Sequence, residues 1–134
     1  MSTTQLYNVG DIEISYESSF DRIKFKYNEK WIPFSIHSFM LFLQTLTFRF
    51  LESNDEISLT IRQYPSSIDL YRIQGSYVII FNSAMHPARV VLPAAAARNL
   101  TDPSLMEKVN RLQKGTCLQS SNEFRRSPER TYFW

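Results

Sequence analysis

Lys30-Trp31-Ile32-Pro33-Phe34-Ser35-Ile36-His37-Ser38-Phe39-Met40-Leu41-Phe42-Leu43 reads as a strand running straight into a helix. Pro33 lacks a ladder donor, which suits an edge strand or a strand end. Ser35 is placed to cap a helix whose inward stripe is Phe39, Phe42, Leu43, Leu46 and Phe50, at spacings of three and four. Arg89-Val90-Val91-Leu92-Pro93-Ala94-Ala95-Ala96-Ala97 repeats the device, with Pro93 where a first helical turn tolerates a missing donor. Two such junctions in one short chain predict two sheet-plus-helix units.

Upstream of the first junction, Asp11 to Tyr16 alternates, with Ile12, Ile14 and Tyr16 on one face. Arg22 to Tyr27 does the same, turning Ile23, Phe25 and Tyr27 inward and Arg22, Lys24 and Lys26 outward. Ser18-Ser19-Phe20-Asp21 makes the loop between them. The first unit is therefore expected to have three strands before its helix, which Asn54-Asp55-Glu56 ends. The second is expected to have four: Ile57 to Tyr64, Ile68 to Ile73, Tyr77 to Phe81 and Arg89 to Leu92, with turns at Pro65-Ser66 and Gln74-Gly75 and an interruption at His86-Pro87. After a helix through Leu100, Thr101-Asp102-Pro103 restarts another, packed through Leu105, Val109 and Leu112 and stopped at Gly115. The predicted class is α+β: one domain over residues 1–115 built of units at about 7–51 and 56–114, then a polar, flexible tail over 116–134.

With 134 residues, the chain can bury about two-thirds of its unfolded surface without staples. Its one cysteine, Cys117, has no partner in the chain, which favours a reducing compartment, the nucleus or the cytoplasm. Neither a signal nor a transit pattern opens the sequence at Met1-Ser2-Thr3-Thr4-Gln5. The longest apolar stretch, Phe39 to Leu51, is too short and too interrupted to span a bilayer, so no membrane partner is expected. A net charge of +2, from 15 basic and 13 acidic side chains, neither requires nor excludes an anionic partner. Ten Phe, seven Tyr and two Trp supply either a sheet core or stacking surfaces.

Catalytic chemistry has little to stand on. His37 and His86 have no Cys, Asp or Glu at ligand spacing, so no metal is expected, and each reads as a surface or packing residue. Cys117 lacks a positioned base and reads as an idle thiol. Glu52, Asp55 and Glu56 fit a solvated connection, and three glycines leave no phosphate-cradling loop. The expectation is a protein without cofactors that is not an enzyme.

From Tyr7-Asn8-Val9-Gly10 through Leu46 the sequence resembles the single-stranded-DNA-binding domain of the coactivator positive cofactor four. The shared order is an aromatic and a glycine, a strand pair, Lys30-Trp31-Ile32-Pro33-Phe34-Ser35, and a helix with Phe39, Phe42 and Leu46. Ile57 to Leu100 looks like a second copy. Two such units in one chain are similar to the Whirly proteins and their kin. That resemblance implies sheets that bind single-stranded DNA or RNA and assembly into dimers or tetramers.

A single strand needs cations for its phosphates and flat rings for its bases. The residues that offer these are Arg22, Lys24, Lys26, Lys30 and Arg62 for phosphates, with Trp31, Tyr64 and Tyr71 for stacking and Arg72 beside them. Against them stand cross-strand carboxylates. A four-residue first loop sets Glu17 opposite Arg22, Ser15 opposite Lys24 and Glu13 opposite Lys26, and the second hairpin sets Arg62 opposite Asp69. Lys24 is the cation left over. The expected function is binding of single-stranded DNA or RNA with low sequence specificity, in transcription, replication or packaging. The alternative is a viral or regulatory protein-interaction or assembly module that uses the same sheet surfaces for self-association and docks a protein partner through Tyr132, Phe133 and Trp134. Arg125-Arg126-Ser127-Pro128 also has the form of a phosphorylation site.

Overall fold

The computed structural model describes residues 3–50 and 58–124. Eight strands form two four-stranded antiparallel sheets, each followed by helix. The first sheet holds β1 (Thr3–Val9), β2 (Ile12–Glu17), β3 (Arg22–Tyr27) and β4 (Lys30–Phe34) in sequence order. The second holds β5 (Ser58–Gln63), β6 (Ser66–Ile73), β7 (Ser76–Asn82) and β8 (Ala88–Pro93), again in order. Helix α1 (Ile36–Thr45) follows β4 and passes into a π-helical turn, Leu46–Phe50. Helices α2 (Ala94–Asn99) and α3 (Pro103–Phe124) follow β8.

The first unit therefore has four strands, not three. β1 escapes the alternation rule because a bulge between Gln5 and Tyr7 breaks its period, and Leu6 is its one buried residue. Gly115 does not end α3, which continues to Phe124 and carries Cys117 on helical backbone. A glycine inside a helix costs about 1 kcal/mol and does not by itself stop it. Residues 125–134, with Arg125-Arg126-Ser127-Pro128 and Tyr132-Phe133-Trp134, lie outside the described residues, as do Glu52, Asp55 and Glu56.

Both units turn their inner faces onto one core. The first supplies rings: Phe25, Phe34, Phe39 and Phe42 are fully buried, with centroids 5.1 to 6.3 Å apart in edge and tilted geometries. The second supplies aliphatics, Ile61, Ile68, Leu70, Ile79, Val90 and Leu92 among them. Short side chains on α2 suit its close seat on β7 and β8, where Ala97 is fully buried. Leu105 and Val109 of α3 are buried, and α3 packs on α1 and β1. Asp102 caps α3 by accepting from the Ser104 N–H at 2.9 Å.

Besides the packing of α3 on α1 and β1, two contacts join the units at the sheets. β4 lies against β8, and Gln63 of β5 reaches the first unit with its side-chain amide. Its Nε2 donates to the Pro33 carbonyl at 2.9 Å, and its Oε1 accepts from the Ser35 N–H at 3.0 Å. The outer faces of the two sheets consequently approach each other along β4 and β8.

Candidate nucleic-acid interface

The register of β2 and β3 is as the loop length requires: Glu17 opposite Arg22, Ser15 opposite Lys24, Glu13 opposite Lys26. Arg22 Nε donates to Glu17 Oε1 at 2.7 Å, and Lys26 Nζ lies 3.6 Å from Glu13 Oε2. The second pair is exposed and worth a few tenths of a kcal/mol. Lys24 faces Ser15 on one side and Pro33 on the other, with no carboxylate in register.

What Lys24 has is a ring. Its Nζ lies 4.7 Å from the centroid of Trp31, which shares the outer face from β4. Arg22 Cζ lies 5.4 Å from the same ring and 4.3 Å from that of Phe20, a 57% exposed phenylalanine in the β2–β3 loop. On the second unit's side Trp31 stacks on His86, centroids 4.5 Å apart and planes 28° apart. Rings and cations thus run Phe20, Arg22, Trp31, His86, with Lys24 beside them.

A recess of about 320 Å³ adjoins this pair, lined by Glu29, Lys30, Trp31, His86, Pro87 and Arg89 among others. A neighbouring one of about 560 Å³ shares Glu29, Lys30 and Arg89. Lys30 opens β4 and is exposed; Arg89, also exposed, faces outward from β8 opposite Ile80. Neither forms an ion pair among the described residues. At these two recesses Lys30 and Arg89 stand against one carboxylate, Glu29.

The second sheet departs from the sequence reading. Arg62 faces Ser67, not Asp69, because the β5–β6 turn is Tyr64-Pro65 rather than Pro65-Ser66, which slides the pairing by two residues and preserves the faces. Asp69 faces Thr60, accepts from Thr60 Oγ1 at 2.7 Å and Asn82 Nδ2 at 2.9 Å, and leaves a carboxylate in the middle of the outer face. Tyr71 shares that face with Thr60 as expected, but pairs with Ser58 at the end of the hairpin away from the turn. Tyr64, 98% exposed, is at the turn, where with Arg62 it borders a separate recess. Arg72 belongs to the opposite face: it pairs with Tyr77, which is buried, and its Cζ lies 6.0 Å from that ring. Consecutive strand residues cannot both face out.

Of the sequence-predicted residues, Arg22, Lys24, Lys26 and Trp31 thus share one face with Lys30 at its border, while Arg62, Tyr64, Tyr71 and Arg72 do not join them. Phe20, His86 and Arg89 were missed. Phe20 and Arg89 carried a signal, a ring in a polar loop and a cation on an alternating strand; His86 carried none, since its contact depends on β4 lying against β8. Among the described residues no cluster of three or more His, Cys, Asp or Glu could hold a metal, and no helix is long and apolar enough to cross a membrane.

No protein-family model matches the chain, and no curated protein does. The fold is similar to that of a solved structure, the crystal structure of a protein with unknown function from the DUF155 family from Prochlorococcus sp. NATL2A. The two superpose with a TM-score of 0.51 at 16% identity, over 77% of this chain and 96% of that one.

Proposed function

We propose that the chain binds single-stranded DNA or RNA, with little sequence preference, on the outer face of the first sheet and along the line where β4 meets β8. The observation that carries this reading is Lys24, a cation without a cross-strand carboxylate, held 4.7 Å from the face of Trp31 beside a second ring, His86. Phosphates take up cations and bases take up rings, and both are presented here within one recess-lined surface. Arg89 and Lys30 extend the positive charge across the junction. Backbone contacts and stacking discriminate poorly among bases, hence the low specificity. The carboxylate of Asp69 makes the outer face of the second sheet a poorer path for phosphates. Chemistry on the bound strand forms no part of the proposal.

Titration of a labelled oligonucleotide at several salt concentrations tests it. Affinity should fall as salt rises, and Lys24→Ala should flatten the dependence of log K on log salt by about 0.7, the share of one phosphate contact on a single strand. Absence of binding at low salt would overturn the reading. Light scattering with and without oligonucleotide reads the dimer or tetramer that the Whirly resemblance implies.

A further inference from the structure

His86 is held in place by rings and left without a hydrogen bond. Trp31 stacks on it, Phe81 lies 6.4 Å away, and its Nε2 is enclosed with no partner among the described residues. A buried polar atom without a partner is unfavourable and rare in a finished site. The charged groups around it come from three strands and a turn. Glu29 and Lys30 line its recess from the β3–β4 turn and the start of β4, and Arg89 lines it from β8. Lys24 and Arg22 of β3 act across Trp31. Glu17 holds Arg22 at 2.7 Å and Glu29 lines the recess itself, so the four cations stand against two carboxylates. A phosphate in the recess would add negative charge beside the imidazole, which favours the imidazolium. Lys30 and Arg89 are exposed at the recess, with side chains long enough to meet phosphates there.

We propose that His86 is a proton-linked contact of this site: when a single strand occupies the recess, the imidazole takes one proton from the buffer, and Nε2–H donates to an acceptor oxygen of the strand. The inference rests on the nucleic-acid reading above. Histidine is the side chain whose charge ordinarily changes between about pH 5 and 8, and linkage is reciprocal. A ligand that favours the imidazolium is itself favoured by acid.

Oligothymidine is the probe, because neither thymine nor the phosphodiester titrates in this range. Its affinity is read by anisotropy at about pH 6 and about pH 8, and proton uptake by calorimetry in two buffers of different ionisation enthalpy. The full chain should bind roughly three- to tenfold more tightly at the lower pH and take up a fraction of a proton. His86→Gln and His86→Phe should lose both effects. His86→Phe keeps a ring against Trp31, so its affinity at about pH 8 should stay within about threefold of the parent, which separates loss of the proton from loss of the stack. His37, whose Nδ1 lies 3.3 Å from Gln113 Nε2 on the helical side, provides the control: His37→Gln should retain the pH effect. Binding without proton uptake, or uptake that persists in both His86 variants, overturns the inference and leaves the nucleic-acid reading standing. No binding of oligothymidine at either pH in low salt overturns the nucleic-acid reading itself.

Discussion

Tyr64 and Trp31 show why exposure alone does not make a stacking residue. Tyr64 is 98% exposed at a turn, with Arg62 on the same recess, whereas Trp31 is half-buried between its neighbours and held in orientation by His86 and Lys24. A fixed ring loses less freedom when a base settles on it. Trp31→Ala should therefore weaken oligonucleotide binding by about 1–3 kcal/mol, and Tyr64→Ala should leave it within about twofold. Anisotropy on the two variants decides; equal losses would place the strand on both sheets. Tyr16 illustrates a different effect. Its hydroxyl donates to Asp21 Oδ1 at 2.7 Å, and that bond, then burial, then the Asp21 charge, raise the phenol above its ordinary value. A group whose folded value is raised stabilises fully below the unfolded value and loses that contribution as pH climbs through the folded one. Urea midpoints should accordingly fall above about pH 10, and Tyr16→Phe should lose less over that interval than the parent does. A parent midpoint that holds steady there would contradict the linkage.

The elements follow from local chemistry where the period is intact and diverge where something interrupts it. Ser35 accepts from the Ser38 N–H at 3.1 Å and donates to Ser38 Oγ at 2.8 Å, so it caps α1 as its place in the sequence implies. Ser35→Ala should destabilise the fold by about 1 kcal/mol in chemical denaturation. Gln74-Gly75 forms the β6–β7 turn with φ of 50° and 79°, a left-handed pair that glycine adopts freely. Gly75→Ala has room for its methyl group, yet should cost roughly 1–2 kcal/mol for the backbone alone, read in the same way. Strands β2, β3, β5 and β6 were legible because their faces differ, apolar inward and polar outward, and β7 was legible as an apolar run, Tyr77 to Phe81, that follows a turn. β1 was not, since the bulge takes Leu6 out of step and leaves Thr3, Thr4 and Gln5 exposed without an alternating partner. The Arg62 pairing was misread because the turn was set one residue late, at Pro65-Ser66, which moves every partner on β6 by two. Pairs on β2 and β3 were read correctly because their loop admits one register.

At the scale of the molecule the two units have kept the same topology and divided the work. The first buries four phenylalanines and turns Arg22, Lys24 and Lys26 outward; the second buries mostly aliphatics, beside Tyr77 and Phe81, and turns Ser58, Thr60, Asp69 and Asn82 outward together with Arg62 and Arg89. The candidate surface is legible in the sequence as far as β3 and Trp31. Its other half is not, because Trp31 and His86 meet only through the packing of β4 on β8, which no local pattern encodes. The same packing predicts that the units fold as one body. Their inner faces share a single core, and the Gln63 amide bridges the Pro33 carbonyl and the Ser35 N–H at the end of β4. Gln63→Ala removes both bonds at once and strands the half-buried Pro33 carbonyl, a loss of about 1–3 kcal/mol. Because the core beneath is untouched, the loss should appear as a lower denaturant midpoint at an unchanged slope, in one transition for both sheets. In a Trp134→Phe background, Trp31 reports by fluorescence on the first sheet and its seam with the second, and far-ultraviolet dichroism reports on both sheets. Coincident curves in the parent and in Gln63→Ala mean that the core, rather than the amide, unites the halves. Separation of the two probes in the variant would instead make Gln63 the clasp on which the shared core, and with it the Trp31–His86 surface, depends.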